Sequence, residues 1–159
     1  MPHAYTAAYL SAADVDRAYA LIAALAPDLT AEEWRAFCRT GTVAGAPPGD
    51  RIIVATDPLG YVRGICVCAP AGDAGGRALE VPLFAPLSAA DAPGVADALL
   101  DGLRRIARRD ACATIHFRPL GAEDRTGYLR GEVYGDAPGV VMLVGPDARQ
   151  AQPGRPANT

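Results

Sequence analysis

The sequence contains no lysine, so all fifteen of its basic side chains are arginine. A guanidinium forms paired hydrogen bonds with phosphate and carboxylate groups, and the chain keeps that capacity. The net charge is −3, so the chain lacks the overall attraction to nucleic acid or anionic membranes that a basic protein has. We therefore expect neither a nucleic-acid partner nor a membrane partner.

Side chains that bind metals are scarce as well, with four cysteines and two histidines in the chain. No two cysteines have the C-x-x-C spacing of a zinc or redox motif, so no metal site is predicted. Cys66 and Cys68 are expected on the same face of one strand, too close along the chain for an easy disulfide. The thiols are therefore predicted to be reduced and buried, as in a cytoplasmic protein.

Long apolar runs are also missing. No stretch approaches the roughly 20 residues that span a bilayer, and the first residues lack a basic segment followed by an apolar run. We expect neither a membrane span nor a signal peptide. Half of the residues are hydrophobic and 21% are charged, a balance typical of a globular domain.

Hydrophobic periodicity predicts the secondary structure. Two helices are predicted after Ser11 and Thr30, with Ser11 as an N-cap and Glu33 in capping-box register with Thr30. The pattern then changes to the alternation of strands. The predicted strands are residues 5–9, 52–55, 61–69, 77–86, 113–118, 128–134 and 140–144, with loops at 41–50 and 71–76 and a brief helix at 121–126.

The clearest helix is predicted over about residues 93–109, where apolar residues recur at helical spacing. Asp97 and Asp101 lie early in it and four arginines lie late, which complements the helix dipole. We interpret the arginines as a solvated helix face, with phosphate or RNA binding as the alternative. They are Arg104, Arg105, Arg108 and Arg109.

The element order is β-α-α-β-β-β-α-β-(α)-β-β, a three-stranded meander followed by a strand-helix-strand crossover. It predicts an α/β (α+β) fold with a mixed, mostly antiparallel central sheet and helices on both faces. We expect a single domain over residues 1–145 and a disordered tail over 146–159, which is polar and contains Pro and Gly.

Two local sequences, together with this order, resemble the GNAT family of N-acetyltransferases. The first is the hairpin Ile52-Ile53-Val54-Ala55-Thr56, Asp57-Pro58-Leu59-Gly60, then Tyr61-Val62-Arg63-Gly64-Ile65, with a glycine early in the second strand. The second is Asp91-Ala92-Pro93-Gly94-Val95-Ala96, which is similar to the family pattern of Arg or Gln, two residues, Gly, one residue, and Gly or Ala. In this family the loop opens the central helix.

The resemblance implies that acetyl-CoA is the co-substrate. Free backbone N–H groups and the positive dipole end of a helix bind the pyrophosphate of CoA, and small residues allow the backbone to approach it. The preceding strand would lie beside the pantetheine arm of CoA. The residues implied in cofactor binding are Phe84, Ala85, Asp91, Ala92, Gly94, Val95 and Ala96.

The resemblance also suggests catalytic residues. Glu80 has a spacing to the loop similar to that of the general base in the histone-acetylating branch, and Tyr128 lies near the family's tyrosine acid. The alternatives are a solvated strand residue for Glu80 and a packing residue for Tyr128. His116 is interpreted as a core or rim histidine, with a base near neutral pH as the alternative.

The leading hypothesis is an acyl-CoA-dependent N-acetyltransferase that moves an acetyl group from acetyl-CoA to a small-molecule or protein amine. A GNAT-fold ligand-sensing or protein-interaction module without catalysis is the alternative, because Asp91 is negative and Pro93 lacks an N–H. No feature of the sequence specifically supports a third alternative, an unrelated α/β interaction domain. The sequence leaves open whether the chain forms a homodimer.

Overall fold

A computed structural model describes residues 4–42, 51–73, 76–87, 90–118 and 140–145. The predicted helix 121–126, strand 128–134 and tail 146–159 lie outside these residues. No helix in the described part of the chain is both long and apolar enough to cross a bilayer. The elements are β1 (Thr6–Tyr9), a 3₁₀ turn (Ala12–Asp14), α1 (Val15–Leu25), α2 (Ala31–Thr42), β2 (Arg51–Thr56), β3 (Val62–Asp73), β4 (Gly76–Pro86), α3 (Ala92–Arg109), β5 (Thr114–Phe117) and β6 (Val140–Leu143).

The six strands of the described residues form one sheet in the order β1-β2-β3-β4-β5-β6. Among these described strands, only β4 and β5, which α3 connects, pair in parallel; the other neighbours are antiparallel. One face of the sheet packs against α1 and α2, around the fully buried Trp34. The other face packs against α3. The predicted mixed sheet with helices on both faces is confirmed.

The starts of the two N-terminal helices differ in chemistry. At α2 the predicted capping box is present: the Thr30 N–H donates to Glu33 Oε2 at 2.8 Å, and the Glu33 N–H donates to Thr30 Oγ1 at 3.1 Å. Ser11 is an N-cap as predicted, but of a 3₁₀ turn, and its side chain makes no capping hydrogen bond. Its hydroxyl donates to Asp14 Oδ2 at 3.0 Å, a 3₁₀ turn follows, and α1 begins only at Val15.

The loop predicted at residues 71–76 is mostly strand. β3 extends to Asp73 and β4 starts at Gly76, and the pairing continues through Ala71↔Ala78 to Asp73↔Gly76. The Gly- and Ala-rich composition suggested a loop because these residues are weak strand formers. Pairing along a long antiparallel hairpin outweighs that local preference.

A β-bulge interrupts the β3–β4 pairing. Val67 lies opposite Leu83, whereas Ala69 lies opposite Glu80, so β4 carries one extra residue between these pairs. An extra residue turns the following side chains to the other face of the sheet and bends the strand.

The buried side chains of β4 change face at this bulge. Before it, Leu79 and Val81 pack against α3. After it, Leu83 and Ala85 pack against α1 and α2. Pro82 lies at the bulge, where a missing N–H costs the sheet no regular hydrogen bond.

Gly64 in β3 allows α3 to approach the sheet. A Cβ built on Gly64 would overlap Val95 Cγ1 and would lie 3.2 Å from Leu99 Cδ1. Both side chains are fully buried, so neither has room to move. The glycine noted early in this strand therefore positions the first turns of α3.

The arginines late in α3 were predicted to form a solvated face of the helix. In addition to meeting solvent, they make hydrogen bonds to other parts of the chain on both flanks of the helix. Toward β1, Arg105 Nη2 donates to the Ala7 carbonyl at 3.1 Å and Arg109 Nη2 donates to the Tyr9 hydroxyl at 2.6 Å. Toward β6, Arg108 Nε donates to the carbonyl oxygen of Gly145 at 3.4 Å.

The carboxyl end of α3 is closed by backbone hydrogen bonds around a left-handed residue. The Cys112 N–H donates to the Ala107 carbonyl at 2.7 Å, and the Ala111 N–H donates to the Arg108 carbonyl at 3.2 Å. Ala111 has φ 58°, a conformation that a residue with a Cβ adopts at a cost and that glycine adopts readily.

We predict that Ala111→Gly stabilises the protein. Relief of the left-handed strain exceeds the entropy that glycine adds to the unfolded chain, for a net gain of about 0.5–1 kcal/mol. Urea unfolding measures the change. Ala96→Gly, inside α3, is the matched control and should lower stability by about 1 kcal/mol; equal losses in the two variants would contradict the prediction.

Candidate functional site

β4 and β5 separate at the bulge. Their pairing runs from Ala78↔Thr114 to Val81↔Phe117, and the Arg118 N–H donates to the Val81 carbonyl at 3.1 Å. β4 continues to Pro86, and in the described residues no strand pairs with that side of it. We call the space between residues 82–86 of β4 and the end of β5 the wedge.

One residue directs both of its backbone groups into the wedge. The Leu87 N–H donates to the Arg63 carbonyl at 2.9 Å, which fixes the alternation of hydrogen bonds between β3 and β4. Ala85 therefore bonds to β3, whereas the N–H and C=O of Phe84 point away from β3. Pro86 also faces the wedge but offers only its carbonyl.

Two aromatic rings meet across the wedge. Phe84 and Phe117 pack edge to face with their centroids 5.4 Å apart. Since one ring belongs to β4 and the other to the last residue of β5, this pair forms an apolar wall where the two strands separate.

The first turn of α3 lies beyond the end of β4, and a carboxylate of the chain itself binds to its backbone. Asp91 is the N-cap, and its Oδ1 accepts a hydrogen bond from the Gly94 N–H at 3.0 Å. Pro93 has no N–H, and the Val95 N–H bonds to the Asp91 carbonyl at 3.2 Å. A Cβ on Gly94 would overlap the Asp91 carboxylate, so the glycine makes room for this cap.

The structure brings the predicted cofactor-binding residues to one corner of the molecule, but their contributions differ. Phe84 presents backbone groups to the wedge. Ala85 and Val95 are buried in the core. The Asp91 carboxylate occupies the place at the helix N-terminus where a phosphate would bind. The wedge thus fits an extended amide-containing arm, whereas the helix N-terminus fits a phosphate poorly while the carboxylate remains there.

Glu80 is the centre of a polar cluster beside the wedge. Glu80 and His116 are directly opposed in β4 and β5, one pair before the strands separate. Glu80 Oε2 lies 3.1 Å from Arg118 Nε, and Oε1 lies 3.6 Å from His116 Nδ1. The other ring nitrogen, His116 Nε2, lies 3.1 Å from the Thr114 hydroxyl. We call Glu80, Thr114, His116 and Arg118 the polar cluster.

The polar cluster lies on the face of the sheet opposite α3. Leu79, Val81 and Ile115 pack toward α3, so the residues between them project from the other face. There α1 and α2 cover mainly β2 and β3. The side chains of Glu80, His116 and Arg118 keep 24%, 38% and 35% of their exposure, which leaves them accessible to a ligand.

Sequence reasoning selected Glu80 and weighed His116 separately, but it missed that the two are paired. It also missed Arg118. The spacing within each strand carries no signal for a contact between β4 and β5, because this contact depends on the parallel register. Tyr128, the predicted acid, lies outside the described residues.

The cysteines do not supply a nucleophile. All four are buried thiols that form no disulfide. Burial raises the pKa of Cys66 well above its ordinary value, and burial with a smaller contribution from Asp16 raises the pKa of Cys38 to about 12. These thiols stay protonated and unreactive at neutral pH. Among the described residues, no three His, Cys, Asp or Glu side chains come together as a metal site.

No family model matches the chain, and no curated protein matches its sequence. Solved structures match it in fold. A GNAT family acetyltransferase from Staphylococcus aureus has a TM-score of 0.61 at 11% identity, over 84% of this chain and 95% of that one. A ribosomal-protein-alanine N-acetyltransferase from Brucella melitensis has a TM-score of 0.58 at 18% identity, over 88% of this chain and 99% of that one.

A third match is the glucosamine N-acetyltransferase region of a fungal multi-domain β-N-acetylglucosaminidase. Its TM-score is 0.58 at 14% identity, over 76% of this chain, and the chain spans 14% of that protein. The chain therefore has the fold of the GNAT acetyltransferases, as the sequence resemblance predicted.

The Asp91 cap leads to a stability prediction. Asp91→Ala removes the acceptor of the Gly94 N–H and should lower the free energy of unfolding by about 0.5–2 kcal/mol, whereas Asp91→Asn keeps a good cap and should change it by only a few tenths. Urea unfolding of the two variants measures both. Equal stability of the alanine variant and the wild type would show that the cap contributes nothing.

Proposed function

We propose that the chain is an acyl-CoA-dependent N-acetyltransferase that moves the acetyl group of acetyl-CoA to an amine. The observation that carries this proposal is the wedge, which opens beside the first turn of α3 in a fold shared with acetyltransferases. A wedge between two parallel strands supplies unpaired backbone groups to a ligand without disturbing the rest of the sheet.

In this proposal the wedge binds the extended arm of the cofactor. The Phe84 N–H and C=O and the Pro86 C=O offer a donor and two acceptors to its amide groups, and the Phe84–Phe117 pair contacts its apolar segments. Acetyl-CoA supplies a thioester whose carbonyl is open to attack. The remaining work, which is orienting the amine and removing its proton, falls to the chain's own residues.

The polar cluster is suited to remove that proton. The positive Arg118 already neutralises one oxygen of Glu80, so we assign the proton-accepting role to His116 and a positioning role to Glu80. If Nδ1 of His116 carries its proton toward Glu80, the lone pair of Nε2 faces the Thr114 hydroxyl. An ammonium group that replaces this hydroxyl would lose a proton to Nε2, and the resulting amine would attack the thioester carbonyl directly. The C–S bond then breaks, the leaving CoA thiolate takes up one proton, and the other passes to solvent.

The competing assignment within this proposal makes Glu80 the general base, which takes the proton directly from the substrate. It follows from the resemblance of the spacing between Glu80 and the loop before α3 to that of the general base in the histone-acetylating branch, and it makes His116 an accessory group. The 3.6 Å separation between the two side chains exceeds a hydrogen bond, but such contacts often shorten when substrate binds.

The second candidate function is a ligand-sensing or protein-interaction module without catalysis. The Asp91 carboxylate favours it, because a negative charge at the N-terminus of α3 repels the pyrophosphate of CoA. For the enzyme, both a protein amine and a small amine are candidate acceptors: the structural matches are named a ribosomal-protein-alanine N-acetyltransferase and a glucosamine N-acetyltransferase region.

Acetyl-CoA binding tests the proposal, and Asp91→Asn sharpens the test. The variant removes the charge but keeps the cap, so acetyl-CoA should bind about three- to tenfold more tightly at low salt, with a smaller gain at high salt. Calorimetry measures the affinity. Asp97→Asn, farther along α3, should change it less than twofold. Absence of acetyl-CoA binding in both the wild type and Asp91→Asn would overturn the proposed function.

The assignment of the base predicts different effects of two variants. Loss of a general base costs about 100-fold or more in turnover. His116→Gln should show that loss, whereas Glu80→Gln should lose about tenfold. CoA release with a panel of primary amines measures turnover, and acetyl-CoA affinity should stay unchanged in both. The reverse order of effects would make Glu80 the base.

A further inference from the structure

A groove of about 330 Å³ lies between the outer edge of β1 and the second half of α3, and β2 and β3 separate this edge from β4. We call it the β1–α3 groove. Its floor is apolar and is formed by Ile53, Gly102 and Ile106, and its rim is formed by Tyr9, Arg105 and Arg109. Gly102 has no side chain to fill the groove: a Cβ there would lie 3.2 Å from Ala7 Cβ.

The strand beside this groove has an open edge. The Leu10 N–H donates to the Ile52 carbonyl at 2.9 Å, and Ala8 is paired with Val54 in the same register. Because hydrogen bonds alternate along an antiparallel edge, the N–H and C=O groups of the intervening residues Ala7 and Tyr9 point away from β2. No described strand lies on that side, since β1 is the first strand of the described sheet.

Two guanidinium groups lie over this edge. Arg105 Nη2 donates to the outward-facing carbonyl of Ala7 at 3.1 Å, which itself shows that the edge accepts hydrogen bonds. Arg109 Nη2 donates to the Tyr9 hydroxyl at 2.6 Å and Arg109 Nε donates to Asp110 Oδ1 at 3.4 Å, and the Arg109 side chain stays 57% exposed. Each guanidinium has five N–H donors in a planar fork, so one contact of Arg105 and two of Arg109 leave donors on both for a carboxylate.

The charges distinguish between two kinds of occupant. A second copy that paired its own β1 with this β1 around a two-fold axis would bring Arg105 and Arg109 of both copies together, and like charges at an interface are unfavourable. An extended peptide with carboxylates would instead pair with both arginines. The chain as a whole carries a charge of −3, so this positive rim is a local feature.

We propose that the β1–α3 groove binds an extended acidic peptide segment of a partner protein, which adds a strand to the edge of β1. The Ala7 N–H and the Tyr9 N–H and C=O would bond to the peptide backbone, and its alternate apolar side chains would lie over Ile53 and Ile106. Its carboxylates would meet Arg105 and Arg109. Strand addition of this kind takes affinity from the main chain and specificity from the side-chain contacts. The proposal is independent of acetyl transfer.

The test uses a fluorescent probe peptide, Val-Glu-Val-Asp-Val with blocked ends, and the full chain. Fluorescence anisotropy should show saturable binding that weakens about tenfold between low and high salt, as expected for exposed charges. The same peptide with N-methyl groups at alternate residues keeps its charges but cannot pair as a strand, and it should bind at least tenfold more weakly.

Two protein variants complete the test. Arg109→Gln should weaken probe binding at least fivefold, whereas Arg108→Gln, on the opposite flank of α3, should change it less than twofold. No saturable binding, or equal binding of the N-methylated peptide, would overturn the proposal without requiring any variant to fold. A wild-type dimer that dissociates in proportion to added probe would also overturn it, because the groove would then belong to a second copy.

Discussion

At the β-bulge, β4 carries one residue more than β3 opposite it, and the shape of the candidate site depends on that residue. The bulge turns the side chains of β4 from one face of the sheet to the other. It also changes which backbone groups face β5, so that Phe84 directs its N–H and C=O into open space. Without the extra residue, β4 and β5 could stay paired and no wedge would form. Pro82 suits this position because it has no N–H to lose.

The interaction between Asp91 and Gly94 has two opposed effects on the same helix end. The carboxylate satisfies a backbone donor and complements the dipole of α3, which stabilises the helix. It also places a negative charge where an anionic ligand would bind. The stability of α3 and its affinity for an anion are therefore coupled at this turn. A residue that caps the helix without a charge would keep the first without lowering the second. A Cβ on Gly94 would overlap the Asp91 carboxylate, which shows that the turn is built around the Asp91 side chain.

Local patterns in the sequence were enough to predict α3, the meander and the crossover, because amphipathic periodicity and capping act within a few residues. The capping box of Thr30 and Glu33 is an example. The bulge was not predictable, since it exists only as a mismatch between strands that are distant in sequence. The contacts of Glu80 with His116 and Arg118 depend on the register of two parallel strands, which no local pattern encodes. At residues 71–76, the Gly/Ala composition predicted a loop where the ends of β3 and β4 lie. Asp91 was recognised as a negative charge, but its role as a cap needed the geometry of the turn.

The guanidinium contacts of α3 have a chemical consequence for a protein that would acetylate amines. A guanidinium stays protonated at neutral pH and does not act as a nucleophile. Lysine at Arg105, Arg108 or Arg109 could also reach across to the sheet, but each would add a primary amine able to attack a thioester. Since all fifteen basic side chains are arginine, no side chain in these 159 residues carries a primary amine. Self-acetylation at a lysine side chain is therefore excluded by composition alone.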